Sequence, residues 1–570
     1  MVRSPPLRNH PPLHGVKLYM ERQHSLRPPG VFGTLVRHFF SRFFDTESLS
    51  PQGDPDAGVI QTLGILAVPG AFFVLVFRPL TLTGWSLVAV RYMFVSFSMT
   101  VMGFLMVFEW DALFPDRRDY QVLTPQPIRL STLFLAKAAA LAIFLGIFLV
   151  DVNLFSVLMW PGVDGGSDFF GILWAHVAAV LCGGLFAALA AAALHGILIT
   201  FLRGWLYRRV SVALQTLLMA LLVMNLFLTP MLAFRIQWVA TLHSDWLYWF
   251  PGFWFAGFYE HLRPATGNLP LRELGVFATR ALEIAAAVFL LTFLPGYRSH
   301  ARRVLETTPP AAAGPGRLSA AFHRVLGRTL LRHPVESAVF HFISQTITRS
   351  LKHRLFLATY GGFGAAWTVM TFGSGPPDLM ILPLTLSFIL VSGLRAAFNF
   401  PAELSGNWAF QLGEVTGVEP YLSATRKWIL VCAILPLFLL MAPMEFASFP
   451  PAAALFHLAF GIATSVLLTE VMFLGFRKVP FTCAHLPGKV NLVFLGVMYI
   501  FGFSAYSRSL RSLEAILTRN RAGALAFFVV AAALYAALSR SDRIVLGPRA
   551  VLDYEDPADP VVRTLGITTR

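Results

Sequence analysis

The sequence predicts an all-α polytopic membrane protein, with about twelve transmembrane helices in two tandem six-helix halves. Three observations predict this fold class. Long apolar stretches follow one another from Gly58 to Leu538, and several approach the roughly 20 residues that a helix needs to cross a bilayer core. Hydrophobic residues make up 56% of the chain, and the mean hydropathy is +0.65. The polar segments between the stretches are alternately basic and poor in charge.

The apolar stretches define about twelve candidate spans. In the first half the candidate spans are Gly58–Phe77, Tyr92–Phe108, Thr132–Met159, Phe170–Phe201, Val210–Leu232 and Phe277–Pro295. In the second half they are Leu355–Phe372, Leu379–Leu394, Trp428–Met444, Ala452–Phe476, Val490–Tyr506 and Ala522–Leu538.

The distribution of basic residues predicts the orientation of the chain. Segment 297–354 carries ten Lys and Arg residues and the first 57 residues carry seven, whereas the loop Trp160–Asp168 carries none. Because Lys and Arg accumulate in cytoplasmic loops, we expect a multi-pass protein of the inner (plasma) membrane with both termini in the cytoplasm. One loop disagrees, since Ser507–Arg521 carries four arginines although it should face outside.

The net charge of +15 predicts a lipid rather than a nucleic-acid partner. In a soluble protein such a charge would suggest nucleic acid, but here the basic residues gather in loops that face anionic lipid. The lipid bilayer is therefore the expected partner. The three cysteines, Cys182, Cys432 and Cys483, have neither disulfide nor metal-ligand spacing, so no metal site is expected.

The loop after the sixth candidate span divides the chain. Thr307–Gly316 reads TTPPAAAGPG, which is typical of a flexible linker, and Pro334 can start a helix that leads into the seventh span. A basic amphipathic helix is expected in the same slot of the first half, at Val31–Phe44. The predicted units are a cytoplasmic N-terminal segment with an amphipathic interfacial helix, a first six-span half, a basic linker with amphipathic helices, a second six-span half and a cytoplasmic tail, at residues 1–57, 58–296, 297–354, 355–538 and 539–570.

The segment Glu109–Lys137, between the second and third spans, is the most individual stretch of the chain. It is too polar to cross a bilayer and too apolar to be a bare solvated loop. A short helix with charges on one face and apolar residues on the other would be a docking element, and the alternative is a surface helix that only caps two spans. The candidate residues of this segment are Asp116, Arg117, Arg118, Asp119, Pro125, Pro127 and Arg129.

The end of this segment resembles the cytoplasmic coupling segment of type-2 ATP-binding-cassette exporter permeases. The residues that carry the resemblance are Leu123, Pro125, Pro127, Arg129 and the run Leu133-Phe134-Leu135-Ala136-Lys137, which follow the acidic-basic cluster. A second segment, Phe398–Lys427, occupies the same slot in the second half and contains Glu403, Asn407, Trp408 and Glu414. The resemblance implies that both segments fit a separate ATPase subunit, present in two copies. Members of that family usually hold one six-span unit per chain, whereas this chain is expected to hold two.

The aromatic stretch Trp246–Pro264 lies between the fifth and sixth spans. The family folds this region partly back into the outer leaflet, and the central Pro-Gly of this chain suits such a re-entrant element. The alternative is an aromatic belt at the outer interface. The candidate residues are Pro251, Gly252, Trp254 and Glu260.

No nucleotide-binding motif occurs in the chain. The pattern G-x-x-x-x-G-K-[ST] is absent, and Leu486–Lys489 lacks both its first glycine and its final Ser or Thr. We therefore expect no catalytic, cofactor-binding or metal-binding residues, and ATP would be bound by the partner subunit. The turn Phe476–Lys489 is expected to be tight and cytoplasmic, and is a candidate second docking loop.

These observations predict the membrane-spanning permease subunit of an ATP-driven exporter. Two alternatives stay open: a secondary transporter, and a membrane-embedded enzyme that acts on lipid-linked substrates. A secondary transporter would need charges near the membrane midplane, and an enzyme would need paired carboxylates or a His/Asp cluster on a loop. Ionisable residues inside the membrane are functional candidates by default. The ionisable residues in or near the spans are Asp151, His176, His195, Arg280, Glu283 and Glu470, of which Glu470 is expected to pair with cytoplasmic basic residues.

Overall fold

A computed structural model describes residues 30–44, 70–71, 75, 85–114, 117–123, 125–126, 128–202, 204–239, 245–263, 269–306, 324–372, 380–402, 404–413, 418–483, 492–546 and 551–555. Of the structure so described, 87% is helical and no part forms a strand. Nine of its helices are long and apolar enough to cross a membrane. The predicted all-α polytopic membrane fold is thereby confirmed.

The helices of the first half are numbered here from the N-terminus. They are α1 (Val31–Phe44), α2 (Leu87–Phe108), α3 (Arg117–Leu123), α4 (Leu130–Asp164), α5 (Phe169–Phe201), α6 (Gly204–Val239), α7 (Pro251–Leu262) and α8 (Leu269–Glu306). Two 3-10 turns, Trp110–Leu113 and Asp245–Trp249, precede α3 and α7.

The helices of the second half continue this numbering. They are α9 (Pro334–Arg349), α10 (Leu351–Phe372), α11 (Leu382–Ala397), α12 (Trp408–Gly413), α13 (Glu419–Ser448), α14 (Pro451–Met472), α15 (Leu492–Leu517) and α16 (Arg521–Leu546). Helix α13 contains one π-helical stretch, at Leu430–Ile434.

Most predicted spans coincide with helices of the structure. The exception is Gly58–Phe77, almost all of which lies outside the described residues. One predicted loop, Ser507–Arg521, is mostly helical. Helix α15 continues to Leu517, and a short turn then leads into α16. Apolar residues at helical spacing, including Leu510 and Leu513, carry the helix through this arginine-rich stretch.

Local sequence signals explain where several of these helices begin. The hydroxyl of Ser86 accepts the amide hydrogen of Ala89 and caps α2, and the carboxylate of Asp168 caps α5 in the same way. The side chain of Asn520 accepts two amide hydrogens at the start of α16. Proline occupies the first turn of α7, α9, α13 and α14, where its missing N–H is not needed.

The same helix pairs pack together in both halves. In the first half α1 packs on α4, α2 packs on α4, α5 and α6, α5 packs on α4, and α8 packs on α5. In the second half α9 packs on α13, α11 packs on α13, α14 and α15, α14 packs on α13, and α16 packs on α14. This repeated arrangement, in the same chain order, favours the predicted division into two tandem halves. Helix α7 has no counterpart among the described residues of the second half.

Helix α2 lies at the centre of the first half and carries a polar stripe. The amide of Asn225 donates to the hydroxyls of Ser96 and Thr100, 3.0 Å away in each case, and joins α6 to α2. The amide of Asn153 donates to Ser98, at 2.9 Å, and joins α4 to α2. Interhelical hydrogen bonds of this kind stabilise bundles in lipid, where packing of apolar side chains alone gives little preference for protein over lipid.

The outward faces of the spans are rich in leucine. Leu291 on α8, Leu439 on α13 and Leu525 on α16 are each more than 70% exposed. An apolar outer surface of this kind is costly in water and favourable in hydrocarbon, so the exposed side chains fit a membrane-embedded protein.

The two amphipathic helices predicted to be cytoplasmic, α1 and α9, pack on protein. Leu35 and Phe39 on α1 are buried against α3 and α4, and Val339, Phe340 and Ile343 on α9 are buried against the second half. The predicted interfacial helix at Val31–Phe44 therefore exists with the predicted bounds, but much of its apolar face contacts the bundle instead of lipid.

Helices α6 and α10 form the described contact between the halves. Met219, Leu355 and Ala358 are buried there. Gly362 brings the two backbones together: a Cβ at this position would overlap the carbonyl oxygen of Ala220 and lie 2.8 Å from the Cβ of Val223.

We expect Gly362→Leu to destabilise the contact between the halves. Overpacking of a close helix contact typically costs about 1–3 kcal/mol, so the melting temperature of the full-length protein in mild detergent should fall. The adjacent Gly361→Leu is the control, because a Cβ at Gly361 meets nothing within 4 Å. Equal melting temperatures for the two variants would contradict the role assigned to Gly362.

Candidate coupling surface

The first-half segment is anchored in the bundle by two aromatic residues. Trp110 is fully buried, donates from Nε1 to the hydroxyl of Ser211 at 3.1 Å, and stacks on His195 with ring centroids 4.7 Å apart. Phe114 packs against His195 and Phe293, at centroid distances of 5.7 and 5.3 Å. The start of the segment is therefore held rigidly against α5, α6 and α8.

Helix α3 docks onto α1 and α4 through a buried carboxylate. Asp119 is 4% exposed and accepts hydrogen bonds from the guanidinium of Arg42 on α1 and from Nζ of Lys137 on α4, the latter at 3.0 Å. Tyr120 and Leu123 are buried beside it. Because Asp119 is paired with two cations, it holds three segments of the chain together.

The predicted coupling residues of this segment therefore lie in different environments. Pro125 and Arg129 are exposed, and Arg117 and Arg118 belong to α3. Asp116 and Pro127 lie outside the described residues. Asp119 departs from the predicted exposed docking face, because its carboxylate is neutralised inside the protein. The described part of the segment fits the capping interpretation, although Val122 on α3 stays 59% exposed.

Two acids at the start of the segment are partly withdrawn from water. Burial raises the pKa of Glu109 to about 7, and the charge of Lys137 opposes this shift. Burial also raises the pKa of Asp111. Both carboxyls lie just after the end of α2, where the chain leaves the predicted span.

The second-half segment combines a buried anchor with an exposed apolar helix. The amide of Asn407 is buried and donates to the carbonyl oxygens of Thr482 and Glu555, at 2.7 and 2.9 Å. The next residue, Trp408, begins α12 and is 62% exposed, and Leu412 on the same helix is 71% exposed. The predicted residues Glu403 and Glu414 lie outside the described residues.

The turn after α14 is a buried support for this segment. The carbonyl oxygen of Phe481 accepts the amide hydrogen of Ala402, and Phe481 itself has a φ of 70° and packs on Phe398 at a centroid distance of 5.2 Å. Residues 551–555 cover the turn from the other side, since the amide of Asp553 donates to the carbonyl oxygen of Arg477. The described part of the predicted docking loop Phe476–Lys489 is thus largely enclosed.

Lys478 lies inside this turn and is almost completely buried. Its Nζ donates to the carbonyl oxygen of Cys483 at 2.9 Å. Burial lowers the pKa of Lys478 to about 8, while the nearby thiol of Cys483 and the carboxylates of Asp553 and Glu555 oppose the shift. A buried ammonium that donates to a backbone carbonyl suits a structural role in the turn.

The aromatic stretch predicted to be re-entrant forms helix α7. Pro251 is its first residue, and Gly252 allows close approach to Tyr92 on α2. Trp254 donates from Nε1 to the carbonyl oxygen of Tyr248 at 3.1 Å. Helix α7 packs against α2, α5 and α8, so it folds back among the helices, while its entry into the bilayer stays a prediction.

Glu260 on α7 belongs to a buried ion cluster centred on Arg91. Arg91 pairs with Glu260 and, at 3.2 Å, with Asp164 at the end of α4. The hydroxyl of Tyr259 donates to Asp164 at 3.0 Å, and the guanidinium of Arg91 lies 3.9 Å from the centroid of the Tyr259 ring. The cluster ties α7 to the ends of α2 and α4. The sequence predicted Glu260 as a site residue but did not predict Arg91. In the sequence, Arg91 is only a single charge near the start of an apolar run.

Most of the other predicted ionisable residues either contact neighbouring side chains in ways that suit a structural role or are exposed. His176 stacks on Trp160 at 4.8 Å, and His195 lies 2.9 Å from the hydroxyl of Tyr207. Glu470 lies 3.2 Å from Arg426, the kind of basic partner predicted for it. Arg280 and Glu283 are exposed on α8.

Sequence reasoning also missed a buried cluster in the second half. Glu445, His457 and Glu514 come from α13, α14 and α15, and each is at most 1% exposed. The signal was present, because Glu445 and His457 are isolated ionisable residues in apolar helices. Glu514 was hidden by the incorrect assignment of Ser507–Arg521 to a loop.

An apolar cavity of about 320 Å³ borders both halves. Phe97, Phe104, Phe108 and Met219 line it from the first half, and Thr359 on α10 lines it from the second. Its position beside the contact between α6 and α10 makes it a candidate part of a pathway between the halves.

Comparison of the chain with models of known protein families, with curated proteins and with solved structures finds no match. The resemblance to type-2 ATP-binding-cassette permeases therefore stays a prediction from the residues named above. The described structure establishes an all-α polytopic membrane protein.

We expect Asp119→Asn to loosen α1 and α3 from α4. Removal of one partner from a buried ion pair typically costs about 3–5 kcal/mol, because the remaining charge stays uncompensated. The melting temperature should fall, and limited proteolysis should cut between α1 and α2 faster than in the wild type. Arg129→Gln, an exposed change in the same segment, should alter stability by less than about 0.5 kcal/mol. Similar effects of the two variants would refute a structural role for Asp119.

We expect Glu109→Gln to remove a pH dependence of stability. The native pKa of Glu109 is raised to about 7 from the ordinary 4.5, so the native state binds more protons than the unfolded state between these values. Its contribution to stability is therefore lost as the pH rises through this window. The variant should melt above the wild type at about pH 8, and the difference should vanish at about pH 5. Glu273→Gln, which removes an exposed acid, should give melting curves parallel to the wild type; the same result for Glu109→Gln would contradict the prediction.

Proposed function

We propose that this chain is the membrane-spanning permease subunit of an ATP-driven exporter, with both halves of the pathway in one polypeptide. The observation that carries the proposal is the repeated helix packing, in which each half inserts a short helix at the same point. Helix α3 follows α2 in the first half, and α12 follows α11 in the second. A tandem pair of this kind provides two coupling elements to a dimeric ATPase.

The exposed face of α12 supports a docking role on the predicted cytoplasmic side. Trp408 and Leu412 point away from the bundle, whereas Asn407 and Phe410 hold the segment to the turn after α14 and to α9. Exposed aromatic anchors on a rigid support are typical of interface hot spots. Helix α3 exposes less apolar surface, so the two coupling elements would contribute unequally.

The apolar cavity beside the contact between the halves supports a pathway for an apolar substrate. A site lined by Phe97, Phe104 and Phe108 would favour hydrophobic molecules over charged ones. ATP hydrolysis would be supplied by the partner ATPase, because the chain has no phosphate-binding loop.

The proposal predicts one copy of this chain for two ATPase subunits in the inner (plasma) membrane, with both termini cytoplasmic. The chain should co-purify from mild detergent with a protein that has a Walker motif, and native mass spectrometry should give the 1:2 ratio. Two copies of the chain per ATPase dimer, or metal-dependent ATP hydrolysis by the chain purified alone, would refute the proposal.

We expect Trp408→Asp to release the ATPase without unfolding the chain. A charge in an apolar docking patch opposes binding, whereas the exposed position makes the effect on stability less than about 0.5 kcal/mol. Pull-down of the ATPase should fall at least tenfold at an unchanged melting temperature. Val551→Asp changes another exposed apolar residue of the same predicted cytoplasmic region and should leave the pull-down intact. Normal association of Trp408→Asp would exclude α12 from the docking surface.

A secondary transporter is the second candidate function, and one observation favours it. The cluster Glu445–His457–Glu514 buries three ionisable groups among the helices, as ion-coupled transporters do. Reconstitution distinguishes the two functions: substrate uptake driven by a proton gradient without the ATPase would favour the secondary transporter.

A further inference from the structure

The second half encloses a histidine between two carboxylates. Nδ1 of His457 on α14 donates a hydrogen bond to Glu514 on α15, and Nε2 lies 3.4 Å from Glu445 on α13. The side chains of all three residues are at most 1% exposed. The carboxylates lie on opposite sides of the imidazole ring, and within the described ranges no three His, Cys, Asp or Glu residues form a metal-binding group.

The charges of this cluster do not balance if both carboxylates are ionised. An imidazolium neutralises one carboxylate, which leaves a net charge of −1. Both oxygens of Glu445 and Oε2 of Glu514 accept no hydrogen bond in the described part of the chain. A buried ionised carboxylate without donors is costly, and such a group normally takes up a proton instead.

Among the described residues, His457 is the only cation paired with Glu445 or Glu514. On α15 itself, neither Arg508 nor Arg511 forms an ion pair with Glu445 or Glu514 within the described residues. The cations on the other packed helices lie elsewhere: Arg426 pairs with Glu470, Arg395 on α11 bonds Asn399 and the carbonyl oxygen of Met472, and Arg521 starts α16.

We propose that Glu445, His457 and Glu514 form a proton-binding site. The site holds one proton in addition to that of the imidazolium, so one carboxyl is neutral and the cluster carries no net charge. Uptake forms an O–H bond on one carboxylate oxygen, and release returns the proton to water and leaves the cluster at −1. Since the three residues come from three helices, the bound proton favours their packed arrangement.

A comparison with the first half explains why the proton of this site can exchange with water. There the carboxylates of Glu260 and Asp164 face two arginines, because Arg91 pairs with both and Arg263 lies 3.9 Å from Asp164, and arginine keeps its proton at all relevant pH values. The second half has no arginine in that role among its described residues, so a proton must supply the missing positive charge.

Infrared difference spectroscopy of the full-length protein in detergent tests the proposal. At neutral pH, Glu445→Gln or Glu514→Gln should lose the C=O stretch of one protonated carboxyl relative to the wild type. Glu470→Gln is the matched control: Glu470 is also buried on the bundle side, but it is paired with Arg426 and should contribute no such band. If neither variant in the cluster loses a band, the proposal is overturned.

If the variants do not fold, a measurement on the wild type provides a second test of the proposal. The melting temperature is compared at fixed pH and ionic strength in sodium, potassium and choline chloride. An unchanged melting temperature supports a site filled by a proton. A higher melting temperature in sodium or potassium than in choline chloride would show that a metal cation neutralises the cluster and would overturn the proposal.

Discussion

Neutralisation of buried charge is the constraint on which this fold depends. A helical bundle in lipid satisfies its backbone internally, so its remaining cost lies in the charged side chains. Arg91 pairs with two carboxylates, one of which also lies near Arg263, and holds α7 against α2 and α4. Asp119 joins α1, α3 and α4 through Arg42 and Lys137, and Lys427 on α13 joins α9 through Glu336, at 2.6 Å. Each of these pairs fixes a short or peripheral helix to a long span.

The two halves use this constraint in parallel but not identically. Lys137 and Lys427 both lie near the start of the helix that follows a predicted coupling segment, and each pairs with an acid of a neighbouring helix. In the first half that acid is Asp119 on α3, so α3 is held against the bundle. In the second half it lies on α9, and α12 is left with Trp408 exposed. The helix that the lysine holds therefore differs between the two halves.

The sequence was sufficient to predict most of the helices, but it did not predict which side chains pair between them. Apolar runs placed the spans, and the bounds of Val31–Phe44 and the start at Pro334 followed from local pattern alone. The pairing of Arg91 with Glu260 spans 169 residues, and that of Arg42 with Asp119 spans 77, so no local pattern contains them. For the same reason the sequence did not predict that Asp119 is buried between α1 and α4. Ser507–Arg521 was predicted to be a loop because of its arginines, although its leucines have helical spacing.

Two histidines at matching positions of the repeated helices have different partners in the two halves. His176 and His457 each lie about two turns into the corresponding helices α5 and α14. His176 faces the neutral hydroxyl of Ser156, 3.3 Å away, and is buried without an acidic partner among the described residues. His457 faces two carboxylates in the same slot. A shared position with different partners is what a duplicated six-helix unit would acquire if one copy kept a packing histidine and the other gained an ionisable site. The proposed charge imbalance of the second half would then be a local difference, added to the helix packing that both halves repeat.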